Sequence, residues 1–221
     1  MIASRLVACL ALLTAACSSG AAEPDPTCLG PLPEATPAPA ALDAPAVADP
    51  VEYLSLHNAL GRPGTPEWPA TLQRLMAAGD GFTLERLKAL DRVRVPADSM
   101  ALLDAAIEML GARVAAETPA TVAASLQTRF ERASLADLHC DPLEMTLVPW
   151  VLSGAAALAA EPVVRAELQR LESGYVAPDV PWTVRTGLLP ASASAPPLLQ
   201  ARVRGYAHRA LSPTPDVAAR R

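Results

Sequence analysis

Residues 97–130 read ADSMALLDAAIEMLGARVAAETPATVAASLQTRF and carry the strongest periodic pattern in the chain. The large apolar side chains of this stretch recur three or four residues apart: Leu103, Ile107, Leu110 and Val114, then Val122, Leu126 and Phe130. That spacing places them on one face of an α-helix, where they can pack against a core. Between the two runs, Thr118-Pro119 supplies an N-cap and a proline at the first helical position. The stretch therefore predicts two consecutive amphipathic helices.

Similar helix-start signals recur along the middle of the chain. They stand at Asp49-Pro50, Thr65-Pro66, Thr83, Asp141-Pro142, Glu161-Pro162 and Pro197. Gly61 and Gly174 fall where helices are expected to end. Pro149 lies inside the pattern that follows Asp141, so we expect a kink or a break there. Strand signals are almost absent and aromatic residues make up only 4% of the chain, so the predicted fold class is all-α.

Two arrangements of the helices fit the sequence. Pro96, Pro119, Pro142 and Pro162 are 23, 23 and 20 residues apart, so pairs of helices have the repeat length of a HEAT-like α-solenoid. An irregular multi-helix bundle whose helices begin at prolines gives the same spacing. Both arrangements stay open for the predicted helical domain, residues 50–211.

The first residues have the pattern of a secretory signal peptide. A short start with one positive charge, Arg5, precedes an apolar run of eleven residues from Leu6 to Ala16. A hydrocarbon core needs about 20 helical residues, so residues 1–16 are predicted to be a cleaved signal and not a membrane span. The later apolar stretch at residues 143–160 is interrupted by polar residues, proline and glycine.

The end of that run carries a family resemblance. Leu13-Thr14-Ala15-Ala16-Cys17 resembles the lipobox of bacterial lipoproteins, in which small residues precede an obligatory cysteine. The resemblance implies that Cys17 is the lipid attachment site, carrying diacylglycerol on its thiol and a fatty acid such as palmitate on the new amine. Ser18 stands where Asp would favour the inner membrane, which implies the outer membrane of a Gram-negative cell, facing the periplasm. The alternative is secretion without lipid, with cleavage after Ala16 or after residues 20–22.

A tether is predicted between the lipid and the helices, over residues 17–49. Seven prolines, five acids and no basic residue lie between Ser18 and Asp49, a composition typical of extended, disordered linkers. Cys9 leaves with the signal, so Cys28 and Cys140 remain in an oxidising compartment. We expect a disulfide between them, worth up to about 4–5 kcal/mol in the chain-entropy model. The alternatives are unpaired thiols, or one buried thiol and one linked to a partner.

Catalytic and metal-binding motifs are not recognisable in the sequence. HExxH, GxSxG, GxGxxG, the P-loop and CxxC are all missing, so we expect no catalytic residues, no cofactor and no metal. His139-Cys140-Asp141 is interpreted as a helix end followed by a cap, because adjacent side chains cannot all face one ion. A Ser combined with His57 and a distant carboxylate stays open as a candidate nucleophile. Trp68, Trp150 and Trp182 are interpreted as packing residues, with a ligand groove as the alternative.

Charge is distributed unevenly. The chain has 18 basic and 23 acidic residues and a pI near 5.2, which argues against a nucleic-acid partner. The basic residues gather towards the end, where residues 212–221 form a predicted flexible basic tail. On the last predicted helix, Arg202, Arg204 and Arg209 form a candidate surface for an anionic partner. The alternative is a solvated face, or one that docks on acidic residues of the same domain.

These features predict a membrane-anchored, non-enzymatic lipoprotein whose helical domain binds an envelope protein. The alternative is an envelope enzyme or a small-ligand-binding lipoprotein, with a site assembled from scattered residues. A third reading is a structural component without a specific partner.

Overall fold

The computed structural model describes residues 50–178 and 195–212, and within them the chain is helical. In chain order the eight α-helices are α1 (Pro50–Leu60), α2 (Trp68–Ala78), α3 (Gly81–Lys88), α4 (Ala97–Ala115), α5 (Pro119–Leu138), α6 (Glu144–Ala157), α7 (Pro162–Gly174) and α8 (Ala195–Leu211), with a 3₁₀ turn at Arg92–Arg94. These residues contain no β-strand; they include one isolated bridge between Pro63 and Thr65. The predicted all-α class is confirmed.

The long helix α5 lies at the centre of the fold. It packs against α1, α6, α7 and α8, while α4 packs against α2 and α3, and α2 packs against α1. In a solenoid each repeat contacts only its neighbours in sequence, whereas α1 and α8 both reach α5 from distant parts of the chain. The helix pairing is therefore that of a multi-helix bundle, one of the two arrangements that the sequence left open.

The periodic apolar residues form the core, as predicted. Leu103, Leu110 and Phe130 are fully buried, and Ile107 and Val114 are partly buried beside them. α4 is buried along this row and leaves its other side to solvent. In α5 the burial extends around the helix, since every residue from 130 to 136 is buried.

A close approach between helices requires the glycine that follows α2. A Cβ at Gly79 would lie 2.4 Å from the Leu75 carbonyl oxygen and 2.8 Å from a methyl group of Leu110 on α4. Arg113 of α4 also donates to the Gly79 carbonyl oxygen at 3.1 Å. Glycine therefore allows α2 and α3 to pack onto α4.

Two predicted helix starts are displaced by two residues, each for a local reason. Thr65-Pro66 forms a turn before α2, whose first residue, Trp68, donates its backbone N–H to the Thr65 carbonyl at 3.1 Å. The Asp141 carboxylate accepts from the Leu143 N–H at 2.9 Å, and α6 begins only at Glu144. By contrast, α5 begins at Pro119 as predicted, with Thr118 and Thr121 forming a reciprocal capping box.

Two other boundary predictions need correction. α3 does not start at Thr83: the Asp80 side chain caps it, and the helix begins at Gly81. The last helix starts at Ala195, two residues before Pro197.

A kink or a break was expected in α6 at Pro149, and the helix does not break there. α6 continues through Pro149 to Ala157. Pro149 is exposed. Because proline has no N–H, the carbonyl of Met145, four residues earlier, lacks its helical donor. This carbonyl lies on the outward face of α6, where water solvates such groups. A proline on that face is tolerated without ending the helix.

Candidate functional site

Three helices meet at a polar cluster that we call the His57 cluster: Tyr53, His57, Asp80, Thr83 and Arg132. Tyr53 and His57 lie one turn apart on α1, Asp80 and Thr83 lie at the start of α3, and Arg132 is on α5. Tyr53, His57 and Thr83 have no exposed surface. Asp80 is placed by its capping role, since its Oδ1 accepts from the Thr83 N–H at 3.1 Å.

The Asp80 carboxylate is the main acceptor of the His57 cluster. Its Oδ1 accepts from the Tyr53 hydroxyl at 3.0 Å and from the Thr83 hydroxyl at 3.3 Å. Its Oδ2 lies 3.6 Å from Nη1 of Arg132. The Arg132 guanidinium also stacks over the Tyr53 ring, 3.8 Å from the ring centroid. A buried carboxylate therefore has both hydroxyl donors and a cation around it, as burial of a charge requires.

His57 is held as a neutral imidazole. Its Nε2 lies 3.1 Å from the Thr83 hydroxyl oxygen. Since Thr83 donates its proton to Asp80, we assign the imidazole proton to Nε2. Burial lowers the pKa of His57 to about 3, the Asp80 carboxylate raises it in part, and the Arg86 and Arg132 cations lower it further. Within the described residues, Nδ1 has no hydrogen-bond partner.

The cluster brings a hydroxyl, an imidazole and a carboxylate together, but in the wrong order for nucleophilic catalysis. In a catalytic triad the carboxylate orients the imidazole, and the imidazole accepts the proton of the hydroxyl. Here Asp80 contacts the hydroxyl of Thr83, and His57 donates to that hydroxyl. An imidazole with a pKa near 3 is also a poor general base at neutral pH. The His57 cluster joins α1, α3 and α5 and does not activate Thr83.

A second polar group, the C-terminal cluster, joins α8 to its neighbours and consists of Asp137, Glu172, Arg202, Tyr206 and His208. Arg202 forms an ion pair with Asp137 of α5, and Asp137 also accepts from the Tyr206 hydroxyl at 2.9 Å. His208 Nδ1 lies 2.7 Å from a carboxylate oxygen of Glu172 on α7. Tyr206 is buried, the Arg202 and Asp137 side chains are 27% and 18% exposed, and 65% of the His208 side chain is accessible.

The three arginines of the candidate partner surface have different surroundings. Arg202 binds Asp137, and the Arg204 Nε donates to the Tyr175 carbonyl at 2.9 Å. Arg209 is exposed, and its guanidinium stacks 4.8 Å from the centroid of the Tyr206 ring. Two of the three arginines are therefore engaged within the domain, and Arg209 keeps the freest side chain of the three.

The corner between α5 and α6 contains the adjacent residues His139, Cys140 and Asp141. His139 follows the last residue of α5, and Cys140 has a left-handed backbone with φ of 49°. The Asp141 carboxylate accepts from the Asn58 side chain of α1 at 2.7 Å, so the corner is tied to the far end of that helix. Among the described residues, no group of three or more His, Cys, Asp or Glu side chains is placed to hold a metal ion.

The remaining cysteine and lipid predictions fall outside the described residues. Cys17, the predicted lipid attachment site, and Cys28, the predicted partner of Cys140, both precede residue 50. The lipid and the Cys28–Cys140 disulfide therefore stay predictions.

Two of the three tryptophans have defined surroundings. Trp68 is buried and donates its indole N–H to the Leu60 carbonyl at 3.2 Å. Trp150 packs edge-on to Phe82, with ring centroids 5.7 Å apart, and lies under the Arg129 guanidinium. Both make packing contacts between helices, and Trp182 lies outside the described residues.

Sequence reasoning identified His57 but missed Asp80, Thr83 and Arg132 as its neighbours. Asp80 offered a local signal, because an Asp three residues before Thr83 fits an N-cap. Arg132 offered none, since its contact with Asp80 joins residues far apart in sequence and depends on how α5 packs on α1 and α3.

None of the described helices combines the length and the hydropathy needed to cross a membrane. Comparison with family models, with curated proteins and with solved structures finds no significant match to this chain.

Proposed function

We propose that this chain is a lipid-anchored protein of the outer membrane, facing the periplasm, whose helical domain binds another envelope protein. The lipobox-like sequence ending at Cys17 supports the anchor, and several acyl chains on one cysteine provide stable attachment. The helical domain supports a binding role through its surface, where one helix presents apolar side chains outwards.

The outward face of α6 is the observation that carries the binding proposal. The helix buries Leu147, Val151 and Ala155 on one side. On the other side Met145 is 82% exposed, and Pro149 follows it one turn later. No charged residue lies between Glu144 and Glu161. Exposed apolar faces of this kind are typical of sites that bind another protein.

The anchor is tested on protein purified from cell envelopes. The mature N-terminal peptide should begin at Cys17 and carry the mass of diacylglycerol plus one fatty acid. Substitution Cys17→Ser should release the protein from the membrane fraction or leave the signal uncleaved. An unmodified Cys17, or a mature chain beginning at Glu23, contradicts the anchor.

The binding surface is tested by affinity capture from detergent-solubilised envelopes. Met145→Glu should reduce the yield of a specifically enriched envelope protein at least tenfold, because it places a charge in the apolar face. Thr146→Glu is the matched control, since Thr146 is also exposed in the first turn of α6 and lies beside that face. Equal yields with both variants contradict the assignment of the partner to α6.

The basic surface of α8 is tested by substitution and not by truncation. Removing residues 197–221 would remove the buried side chains of α8, including Val203 and Tyr206, and with them part of the core. Arg209→Glu leaves the core intact. It should weaken capture if an anionic partner uses this surface, and unchanged capture removes Arg209 from the interface.

An enzyme is the second candidate, because the His57 cluster brings a hydroxyl, an imidazole and a carboxylate together, although not in the order of a catalytic triad. An active-site probe that acylates or phosphorylates base-activated hydroxyls tests it. The enclosed His57 cluster and the neutral imidazole predict no labelling. Labelling that disappears in Thr83→Val would support the enzyme over the binding module.

A further inference from the structure

The connection between α3 and α4, residues 89–96, presents an apolar side chain to solvent, and we call it the α3–α4 turn. Among the described residues, Val93 has the most exposed large apolar side chain, with 93% of its surface accessible. Val95, two residues later, is 6% exposed and packs in the core. A single exposed valine is common on protein surfaces, so a binding role for Val93 needs support from its surroundings.

The α3–α4 turn has a fixed shape before anything binds to it. The Asp91 carboxylate accepts from the Val93 N–H at 3.1 Å. The Arg94 N–H donates to the Asp91 carbonyl at 3.0 Å, and the Val95 N–H donates to the Arg92 carbonyl at 3.2 Å. Because these hydrogen bonds and the burial of Val95 already order the backbone, little conformational entropy is lost when the turn binds a partner.

Three exposed cations lie in and beside the α3–α4 turn. Arg92 and Arg94 are the sequence neighbours of Val93, and Lys88 is the last residue of α3. An apolar side chain between exposed cations is the combination with which proteins bind the surface of an anionic bilayer.

The carboxylates that pair with these cations hold them only weakly. Arg92 pairs with Asp104 at 2.6 Å and Lys88 with Glu85 at 3.2 Å, and at least half of each of these four side chains is accessible. Such exposed pairs contribute little in water, so the cations can exchange their carboxylates for another anion. Arg94 is exposed and forms no ion pair within the part of the chain that the structure describes.

The loop between α1 and α2 lies at the same end of the domain. A Cβ at Gly64 in that loop would lie 3.8 Å from the Pro96 side chain in the α3–α4 turn. The loop also contains Arg62, which is exposed. Together, residues 61–67 and 88–94 contain four basic residues and two acids, whereas the whole chain has 18 basic residues and 23 acids. This end is therefore basic in an acidic protein.

We propose that the α3–α4 turn docks on the membrane, with Val93 in the headgroup region of the bilayer and with Arg92, Arg94 and Lys88 on the phosphates of anionic phospholipids. This inference rests on the proposed lipid anchor, which brings the domain to a bilayer. An acidic protein would satisfy the cations but would need a pocket shaped for the valine. A bilayer accepts an apolar side chain without such a pocket.

Docking of the α3–α4 turn leaves the outward face of α6 available to a protein partner. Trp150 of α6 packs on Phe82, at the start of α3. The turn follows the other end of α3, which is about 12 Å away at 1.5 Å per residue. The domain can therefore contact the membrane and a second protein at the same time.

Fluorescence quenching in vesicles tests the docking on the full chain. The fluorescent amino acid dansylalanine replaces Val93, and the protein is reconstituted into vesicles of phosphatidylglycerol and phosphatidylcholine that contain a lipid with a spin label on its acyl chain. The spin label should quench the probe at position 93. Val176 is the matched control, since it is also a valine, is 70% exposed and has uncharged neighbours in sequence, and a probe there should not be quenched. In phosphatidylcholine alone, quenching at position 93 should disappear.

The contribution of the cations is tested in the same vesicles. The double substitution Arg92→Gln and Arg94→Gln should lower the ratio of docked to undocked turns about 25-fold, since each basic residue near an anionic surface contributes about fivefold. Arg165→Gln, at an exposed arginine of α7, is the control and should leave the ratio unchanged. Circular dichroism establishes that all variants are folded.

Three results overturn the proposal: equal quenching at positions 93 and 176, quenching that does not depend on phosphatidylglycerol, and unchanged docking in the double variant. Quenching at position 93 that requires an added envelope protein would also overturn it and would assign the turn to a protein partner. The mass of the N-terminal peptide reports the anchor separately. A chain without lipid can still be added to preformed vesicles, so a failed anchor and a failed docking are distinguishable.

Discussion

The His57 cluster and the C-terminal cluster use similar residues in different surroundings. Each contains a carboxylate, an arginine, a tyrosine hydroxyl and a histidine. Asp80 and Arg132 have side-chain exposures of 11% and 8%, whereas those of Asp137 and Arg202 are 18% and 27%. The two histidines differ most, since His57 has no exposed surface and most of the His208 side chain is accessible.

The difference in burial decides what each cluster contributes. Removal of one partner from a buried group leaves a charge that water cannot reach, which is strongly destabilising. At a partly exposed group, water replaces the lost partner and salt screens the remaining charge. We therefore expect substitutions in the His57 cluster to lower the free energy of unfolding more than the matched substitutions in the C-terminal cluster.

The largest effect is expected for Asp80→Ala. The change removes the cap of α3 and leaves the Arg132 guanidinium buried without its carboxylate, so we expect a loss of about 3–5 kcal/mol in the free energy of unfolding. Asp137→Ala, its counterpart in the C-terminal cluster, should lose about 2 kcal/mol. Urea unfolding followed by circular dichroism measures both values. Equal losses in the two variants would contradict the expected effect of burial.

The pH dependence of stability should come mainly from His57. Its pKa in the folded protein is about 3, below the unfolded value of about 6.5. Between these values the unfolded chain binds a proton that the folded chain does not, so stability falls as the pH falls. The expected loss is roughly 3 kcal/mol between pH 6.5 and pH 4.

Urea unfolding at several pH values checks this expectation. His57→Gln keeps a side-chain N–H donor but cannot titrate, so its stability should change less over the same pH range. A wild-type slope in His57→Gln would show that other groups cause the acid sensitivity.

Removal of a single hydroxyl group should show the same difference between the clusters, with smaller losses in the free energy of unfolding. Tyr53→Phe deletes a fully buried donor to Asp80, and we expect a loss of about 1–2 kcal/mol. Tyr206→Phe deletes a donor to the partly exposed Asp137, and we expect about 0.5–1 kcal/mol. Thermal unfolding of both variants gives the ranking, and a larger loss for Tyr206→Phe would reverse it.

The fold was largely predictable because the core helices follow a simple period. Leu103, Leu110 and Phe130 are buried where their spacing places them, and Thr118 caps α5 as its sequence indicates. Such features depend on residues within one or two turns of each other. Helix starts were less predictable, since the start expected at Thr83 is at Gly81, after the Asp80 cap.

The candidate site was predictable only in part. The sequence singled out His57 as a candidate base but gave no sign that it would be enclosed and neutral. That outcome depends on Asp80 and Arg132, which reach His57 only when α3 and α5 pack onto α1. The sequence also identified Arg202, Arg204 and Arg209 by their charge, yet the contacts with Asp137 and the Tyr175 carbonyl follow from the way α8 docks. Long-range packing decides which polar residues face water.

The smallest effect is expected for Arg202→Gln. Its ion pair with Asp137 lies at the surface, and Tyr206 still donates to the same carboxylate. The loss should therefore be below about 1 kcal/mol at low salt and should shrink further at about 1 M salt, where screening acts within a few ångströms. Urea unfolding at the two salt concentrations measures the difference, with Arg170→Gln as a control at the exposed pair with Glu167. A loss as large as that of Asp80→Ala, or one independent of salt, would mean that the C-terminal cluster is as closed to water as the His57 cluster. The expected difference in stability between the two clusters would then be contradicted.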